Sequence, residues 1–146
     1  MINKQIHSDT CGQVSISNCY EFYFGKKLGY DNIRHLTDKV TKKKNKGMFA
    51  KQVSQVLDNL GIIHEHIKTF KIREINSGLK AGNAFIILYP VGDWAHWVFV
   101  DGRAVDHYNV YNWAASGNPS MHKDEFKKLA NKTRKSYDYT SFIIKI

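Results

Sequence analysis

A chain of 146 residues that is 42% hydrophobic and 13% aromatic, with only two prolines, has the composition of an ordinary globular protein and the length to bury a core without disulfide or metal staples. Lys and Arg number 22 against 13 Asp and Glu, a formal charge of +9, which attracts nucleic acid or an acidic partner but equally describes a solvated lysine-rich face. No run reaches the roughly 18 apolar residues of a membrane span, and MINKQIHSDT lacks the apolar stretch of a signal peptide, so the sequence reads as one cytoplasmic domain over residues 1–146.

A first helix is expected to begin near Cys11, with Ser8, Asp9 or Thr10 as its cap and Ile16, Cys19, Tyr20 and Tyr23 on its apolar face. Gly25 and Gly29 punctuate its end, and residues 33–40 read as a short helix that runs into Lys42, Lys43, Lys44 and Lys46. Phe49, Val53, Val56, Leu57 and Leu60 repeat at helical intervals up to the stop at Gly61. Residues 62–70 partly alternate, residues 72–79 suggest a short helix, and AFIILYP is a buried strand. Residues 96–100 and 104–110 read as strands joined by a tight turn around Asp101, Gly102 and Arg103. A loop over 112–120, an amphipathic helix over 121–131 and a strand over 139–146 complete the chain. Helices first and strands afterwards predict an α+β fold, an N-terminal helical layer on a largely antiparallel sheet.

That split bears on chemistry, because a nucleophile at the start of the first helix and a base on a strand meet where the two layers join. Cys11 stands at the helix N-terminus, where the dipole and free N–H groups favour a thiolate, and its flanks HSDTCGQ are polar, which favours exposure. Its own backbone N–H and the side-chain amide of Gln5 are donors for an oxyanion, and Gly12 offers close approach to the backbone. His96, in DWAHWVFVDG, is the candidate base, and Trp94 and Trp97 beside it are candidate walls of a substrate cleft. Across the expected turn, Asp106 is placed to accept the His96 Nδ1–H and orient the ring. Asp101, Asn109 and Asn112 remain alternatives for that role, and His7 is a rival base. Cys19 belongs to the apolar stripe, and about 12 Å of helix separates it from Cys11, so both cysteines are expected as free thiols. His64 and His66 share a strand face, yet no third and fourth ligand accompany them, so neither a metal nor any cofactor is expected.

These residues resemble the double-glycine leader peptidases, the bacteriocin-processing branch of the papain-like cysteine peptidases. QIHSDTCGQVSISNCYEFYFG is similar to that family's opening, with Gln six residues before a Cys-Gly pair. GMFAKQVSQVLDNLGI is similar to its second helix, and AGNAFIILYPVGDWAHWVFVDGRAVDHYN to its strands carrying histidine and acid. The resemblance implies a papain-like fold with Cys11 as nucleophile, His96 as base, Asp106 as orienting acid and Gln5 as oxyanion donor, acting on a peptide or protein substrate. The chain departs from the family at Thr10, where Asp is usual, at Gln13, where a small residue is usual, and at His107, where Pro often follows the acid. Relatives commonly stand before a transporter and cut after Gly-Gly; a basic domain of this size suits a phage or bacterial setting and another peptide or isopeptide bond. The alternative is a papain-like binding module, or an acyl transferase, whose lysine-rich surface meets nucleic acid or an acidic protein.

Overall fold

A computed structural model describes residues 1–5, 9–44, 47–67, 71–91, 94–135 and 141–145; the side chains of Trp94 and of residues 132–135 lie outside that description. The elements run α1 (Cys11–Phe24), α2 (Tyr30–Thr41), α3 (Ala50–Asn59), β1 (His64–Ile67), α4 (Ile72–Lys80), β2 (Ala84–Val91), β3 (Trp94–Arg103), β4 (His107–Tyr111), β5 (Ser120–His122), α5 (Lys123–Lys135) and β6 (Ser141–Ile144). The strands form one antiparallel sheet in the order β1-β6-β2-β3-β4-β5. This is the expected α+β architecture, with one strand, β5, where the sequence reads as the end of a loop and the start of a helix.

Alternation along the strands builds two cores. Ala84, Ile86 and Leu88 of β2, with Trp97 and Phe99 of β3, face α1, α2 and α3, which contribute Ile16, Ile33 and Val53. Their neighbours Phe85, Ile87, Val98 and Val100 face the other way, against Ile75 of α4 and Phe126 and Leu129 of α5. The period of two in a sheet covered on both faces makes AFIILYP apolar throughout. Gly78 is required for this packing, since a Cβ there would stand 2.5 Å from the Phe85 ring.

Helix α1 lies between the sheet and the other N-terminal helices, so even its polar Gln13, Ser15 and Asn18 are buried. Thr10 is its N-cap residue and makes no capping bond from its side chain, while Gly25, at φ 70°, closes it with an N–H donated to the Glu21 carbonyl. Asn18 holds the segment that precedes the helix: it accepts from the Ile2 N–H at 2.6 Å and donates to the Ile2 carbonyl at 2.8 Å.

The β3–β4 connection differs from expectation. Asp101, Gly102 and Arg103 are not a turn but the end of β3, and the register shifts between Val100 and Gly102. Gly102 serves a bulge, where a Cβ would meet Asn109 Nδ2 at 3.1 Å. The chain reverses after it, with the Ala104 N–H donated to the His107 carbonyl at 2.8 Å. The ladder then runs back to the Phe99–Tyr111 pair and stops, leaving Trp94–Val98 of β3 without β4 on that edge.

Candidate active site

The uncovered edge of β3 is where α1 begins. The Cys11 thiol sits against the backbone N–H of Trp97, the residue after His96, and against the first-turn N–H groups of Gly12 and of Cys11 itself. Two local features produce this contact: β4 ends before it can cover Trp97, and no side-chain cap from Thr10 covers the helix start. Cys11 is only 8% exposed, so its polar flanks misled on burial: Thr10 and Gln13 are packed inside with it because α1 is enclosed on several sides. Burial pushes the thiol up from its ordinary value, and the N–H groups of Trp97, Gly12 and Cys11 pull against that push.

His96 stands across from Tyr89 in the β2–β3 register, the two rings edge to face with centroids 5.7 Å apart. Its Nε2 lies 2.6 Å from the backbone carbonyl of Asn112. A carbonyl only accepts, so Nε2 carries the proton in the neutral ring and Nδ1 holds the lone pair. Burial pushes the His96 pKa down, opposed by the Asn112 carbonyl. The two shifts run in opposite directions, the thiol up and the imidazole down. Tyr89, which the sequence reading passed over, feels the same enclosure: burial first, then Cys11 and Glu125, push its phenol up to about 12. The Gly92–Asp93 dipeptide between two apolar runs was the available signal, since pairing outward from it sets Tyr89 opposite His96.

Asp106 does not orient His96. It lies beyond the opposite end of β3, past Arg103, which is itself roughly 23 Å from His96 along a strand that rises about 3.3 Å per residue. It accepts a 2.7 Å hydrogen bond from His107 Nδ1, which holds its carboxyl below the usual range. Of the alternatives, Asp101 accepts from the Tyr111 hydroxyl at 3.2 Å, and Asn109 packs beside Gly102. Asn112 is the one at His96. It is 7% exposed, adopts φ 66°, and binds Gln5 twice with its side chain: Oδ1 accepts the Gln5 N–H at 3.0 Å and Nδ2 donates to Gln5 Oε1 at 2.8 Å. Gln5 is thereby brought to the residue that holds His96, although 107 positions of sequence separate it from Asn112.

The expected cleft residues have other duties. Trp97 is buried, donates its indole N–H to the Met48 carbonyl at 3.0 Å and stacks on Phe142. It belongs to the core because its place on β3 has the parity that faces α1. Gly12 faces Met48, whose side-chain atoms would lie 3.1–3.2 Å from a Cβ, so its missing side chain makes room for Met48. His7 and the Trp94 side chain lie outside the described residues. His64 is held at both nitrogens, Nδ1 by the Ile62 carbonyl at 2.9 Å and Nε2 by Ser54 Oγ at 2.8 Å, and His66 stacks on Phe142. Among the described residues no three His, Cys, Asp or Glu gather as a metal site, and no helix is long and apolar enough to cross a membrane.

The architecture is that of the papain-like C39 peptidase domains, the fold that the double-glycine leader-peptidase resemblance implied. The peptidase domain of Streptococcus ComA, described as a bifunctional ABC transporter involved in a quorum sensing pathway, is similar with a TM-score of 0.69 at 13% identity, over 98% of this chain and 96% of that one. A Bacillus anthracis structure described as C39-like gives 0.70 at 11% identity, over 100% and 94%. The peptidase domain of Streptococcus mutans ComA gives 0.59 at 13% identity, over 99% and 98%. At these identities the likeness is one of fold. No protein-family model matches the sequence, and no curated protein matches it.

Proposed function

We propose that residues 1–146 form a single cysteine peptidase domain with Cys11 as nucleophile and His96 as base. The observation that supports this most is the thiol at the start of α1 lying against the N–H of Trp97, beside a buried His96 whose lone pair is left on Nδ1. His96 Nδ1 takes the thiol proton as Sγ attacks the peptide carbonyl carbon. The resulting oxyanion is met by the Cys11 N–H and the Gln5 amide N–H. Collapse expels the amine, which takes the proton from His96 and leaves a thioester. Water, deprotonated by the same ring, then releases the carboxylate and the free thiol. The reaction needs no cofactor, and the same parts serve an isopeptide bond.

Incubation with a peptide library and an amine acceptor tests this reading. Hydrolysis that disappears in Cys11→Ala is expected; transfer to the amine without hydrolysis would make the protein an acyl transferase instead.

A second reading draws on a groove of about 570 Å³ at the end of α2, lined by Arg34, Lys39, Lys42, Lys43 and Lys44 with Asp38 as the acid among them. Its charge suits the phosphates of a nucleic acid. Binding of a nucleic acid that falls steeply with salt and is undiminished in Cys11→Ala favours a binding module over the peptidase.

A further inference from the structure

We infer that His107 and His122 form a site for a divalent transition-metal ion, two imidazoles from neighbouring strands closing on one ion at the outer edge of the sheet. Neither residue stands near the other in sequence; the register of β4 and β5 sets them directly opposite one another. The next pair along, Tyr108 and Met121, turns into the core beside α5. His107 and His122 therefore turn to the opposite face, where their side chains are 43% and 47% exposed. Their ring centroids stand 5.5 Å apart, with the planes at 84°. Two imidazoles on one tetrahedral ion have centroids about 5.4 Å apart, given a metal–nitrogen bond of about 2.1 Å and a nitrogen about 1.2 Å from its ring centre. The spacing is thus already that of a pair bound to one ion. The pair lies at the hairpin end of β3, away from Cys11 and His96, so it stands or falls independently of the peptidase reading.

The second nitrogen of each ring decides which atom binds. Nδ1 of His107 donates to Asp106 Oδ1 at 2.7 Å, which leaves the lone pair on Nε2. A carboxylate on the far nitrogen fixes the tautomer and raises the basicity of the ligating one, the arrangement common behind metal-bound histidines. His122 has similar support, since its Nδ1 accepts the Asp124 main-chain N–H at 3.2 Å and has Asp124 Oδ2 3.6 Å away. When Nε2 of His122 takes the ion, its proton passes through water to Nδ1, and Asp124 Oδ2 becomes the acceptor. Main-chain bonds hold the frame on both sides of the pair: the Tyr108–Met121 rung on one, and the Lys123 N–H donated to the Asp106 carbonyl at 2.8 Å on the other. Among the described residues no third His, Cys, Asp or Glu completes a metal cluster, so water fills the remaining positions of the ion. Imidazole with water suits Zn²⁺, Ni²⁺ and Cu²⁺ rather than Mg²⁺ or Ca²⁺, which take oxygen ligands. The bound ion pins the three-residue β5, and the start of α5 that follows it, to β4.

Calorimetric titration with Zn²⁺ tests the pair on the full chain, in a Cys11→Ala background so that the thiol does not compete for the ion. Binding of Zn²⁺ is expected, with Cu²⁺ tighter and Mg²⁺ giving no heat. His107→Ala and His122→Ala are each expected to weaken Zn²⁺ on the order of tenfold or more, and Asp106→Asn about tenfold, through loss of the charge behind His107. His35→Ala, at an exposed histidine on α2, is expected to bind Zn²⁺ as the background does. Both histidines of the pair are half exposed, so the variants should keep the fold, read by circular dichroism. Without further variants, Zn²⁺ is expected to move the Nε2 resonances of both rings together in ¹H–¹⁵N imidazole spectra. No uptake of Zn²⁺, uptake unchanged in His107→Ala, or dependence on His107 without dependence on His122 would each overturn the inference. Mg²⁺ bound as tightly as Zn²⁺ would overturn it too, because that preference belongs to carboxylates rather than imidazoles.

Discussion

The two ends of β3 are built from similar residues and do opposite things. At the hairpin end, Asp106 and His107 form a short, half-exposed pair that water and salt attenuate, and the neighbouring strands are fully paired. At the His96 end the partner strand stops short, and the unpaired edge is filled by the start of a helix, a thiol and an asparagine carbonyl. An acid next to a histidine is therefore the more exposed constellation here. The contrast lies in the backbone: a sheet edge left open supplies directed N–H and C=O groups that a completed ladder would consume.

The largest effect expected from disturbing this contrast is at the base. His96→Ala should lower peptide hydrolysis by on the order of 10²- to 10⁴-fold, measured as release of a fluorogenic peptide fragment, with the fold retained by circular dichroism. Next comes Trp97, which joins β3 to the core rather than to substrate. Trp97→Ala should cost about 3–5 kcal/mol in urea unfolding, and Trp97→Phe, which keeps a ring on Phe142 but loses the bond to Met48, about 1 kcal/mol. A Trp97→Ala protein of unchanged stability and altered substrate preference would return that residue to the cleft.

Smaller still is the pH dependence of stability. Burial holds the His96 pKa down, so as pH falls the unfolded chain takes up this proton first, and stability should decline below about pH 6.5. Burial holds the thiols of Cys11 and Cys19 up, so the unfolded chain loses those protons first, and stability should decline again above about pH 8.5. A thermal melt series should thus peak between these limits, with a shallower acid limb in His96→Gln; an identical acid limb in that variant would count against a buried neutral ring. The smallest effect belongs to Asp106→Asn, expected to hydrolyse substrate within about twofold of wild type, as exposed substitutions usually change energies by no more than about 0.5 kcal/mol. A loss there of tenfold or more would restore the acid to the mechanism.

The sequence carried most of the fold because its signals were local: the heptad-like spacing of Val53, Val56 and Leu57, the stop at Gly61, the unbroken AFIILYP. Cys11 and His96 were legible as residues that the fold draws to one end of β3. What failed was register. Reading Asp101 and Gly102 as a turn put residues near 106 beside His96, whereas those residues extend β3, and a reversal some three residues later displaces every partner by about six, from Asp106 to Asn112. The DG pair gave no means of telling a bulge from a turn, since both accept glycine. Burial of Cys11 was missed for a different reason: the polar flanks describe the local chain, and enclosure is decided by helices and strands far along it.

The sheet order has a consequence in time. Strand β6 lies between β1 and β2, so β1 has no partner in the sheet until residues 141–144 have left the ribosome, and Phe142, on which Trp97 stacks, arrives with them. Synthesis proceeds at roughly 5–20 residues per second, so a nascent chain spends seconds with its N-terminal cysteine made and its sheet still open. The strand that closes the sheet thus acts as a clock, and a domain built this way completes its sheet only after its own translation has passed residue 144.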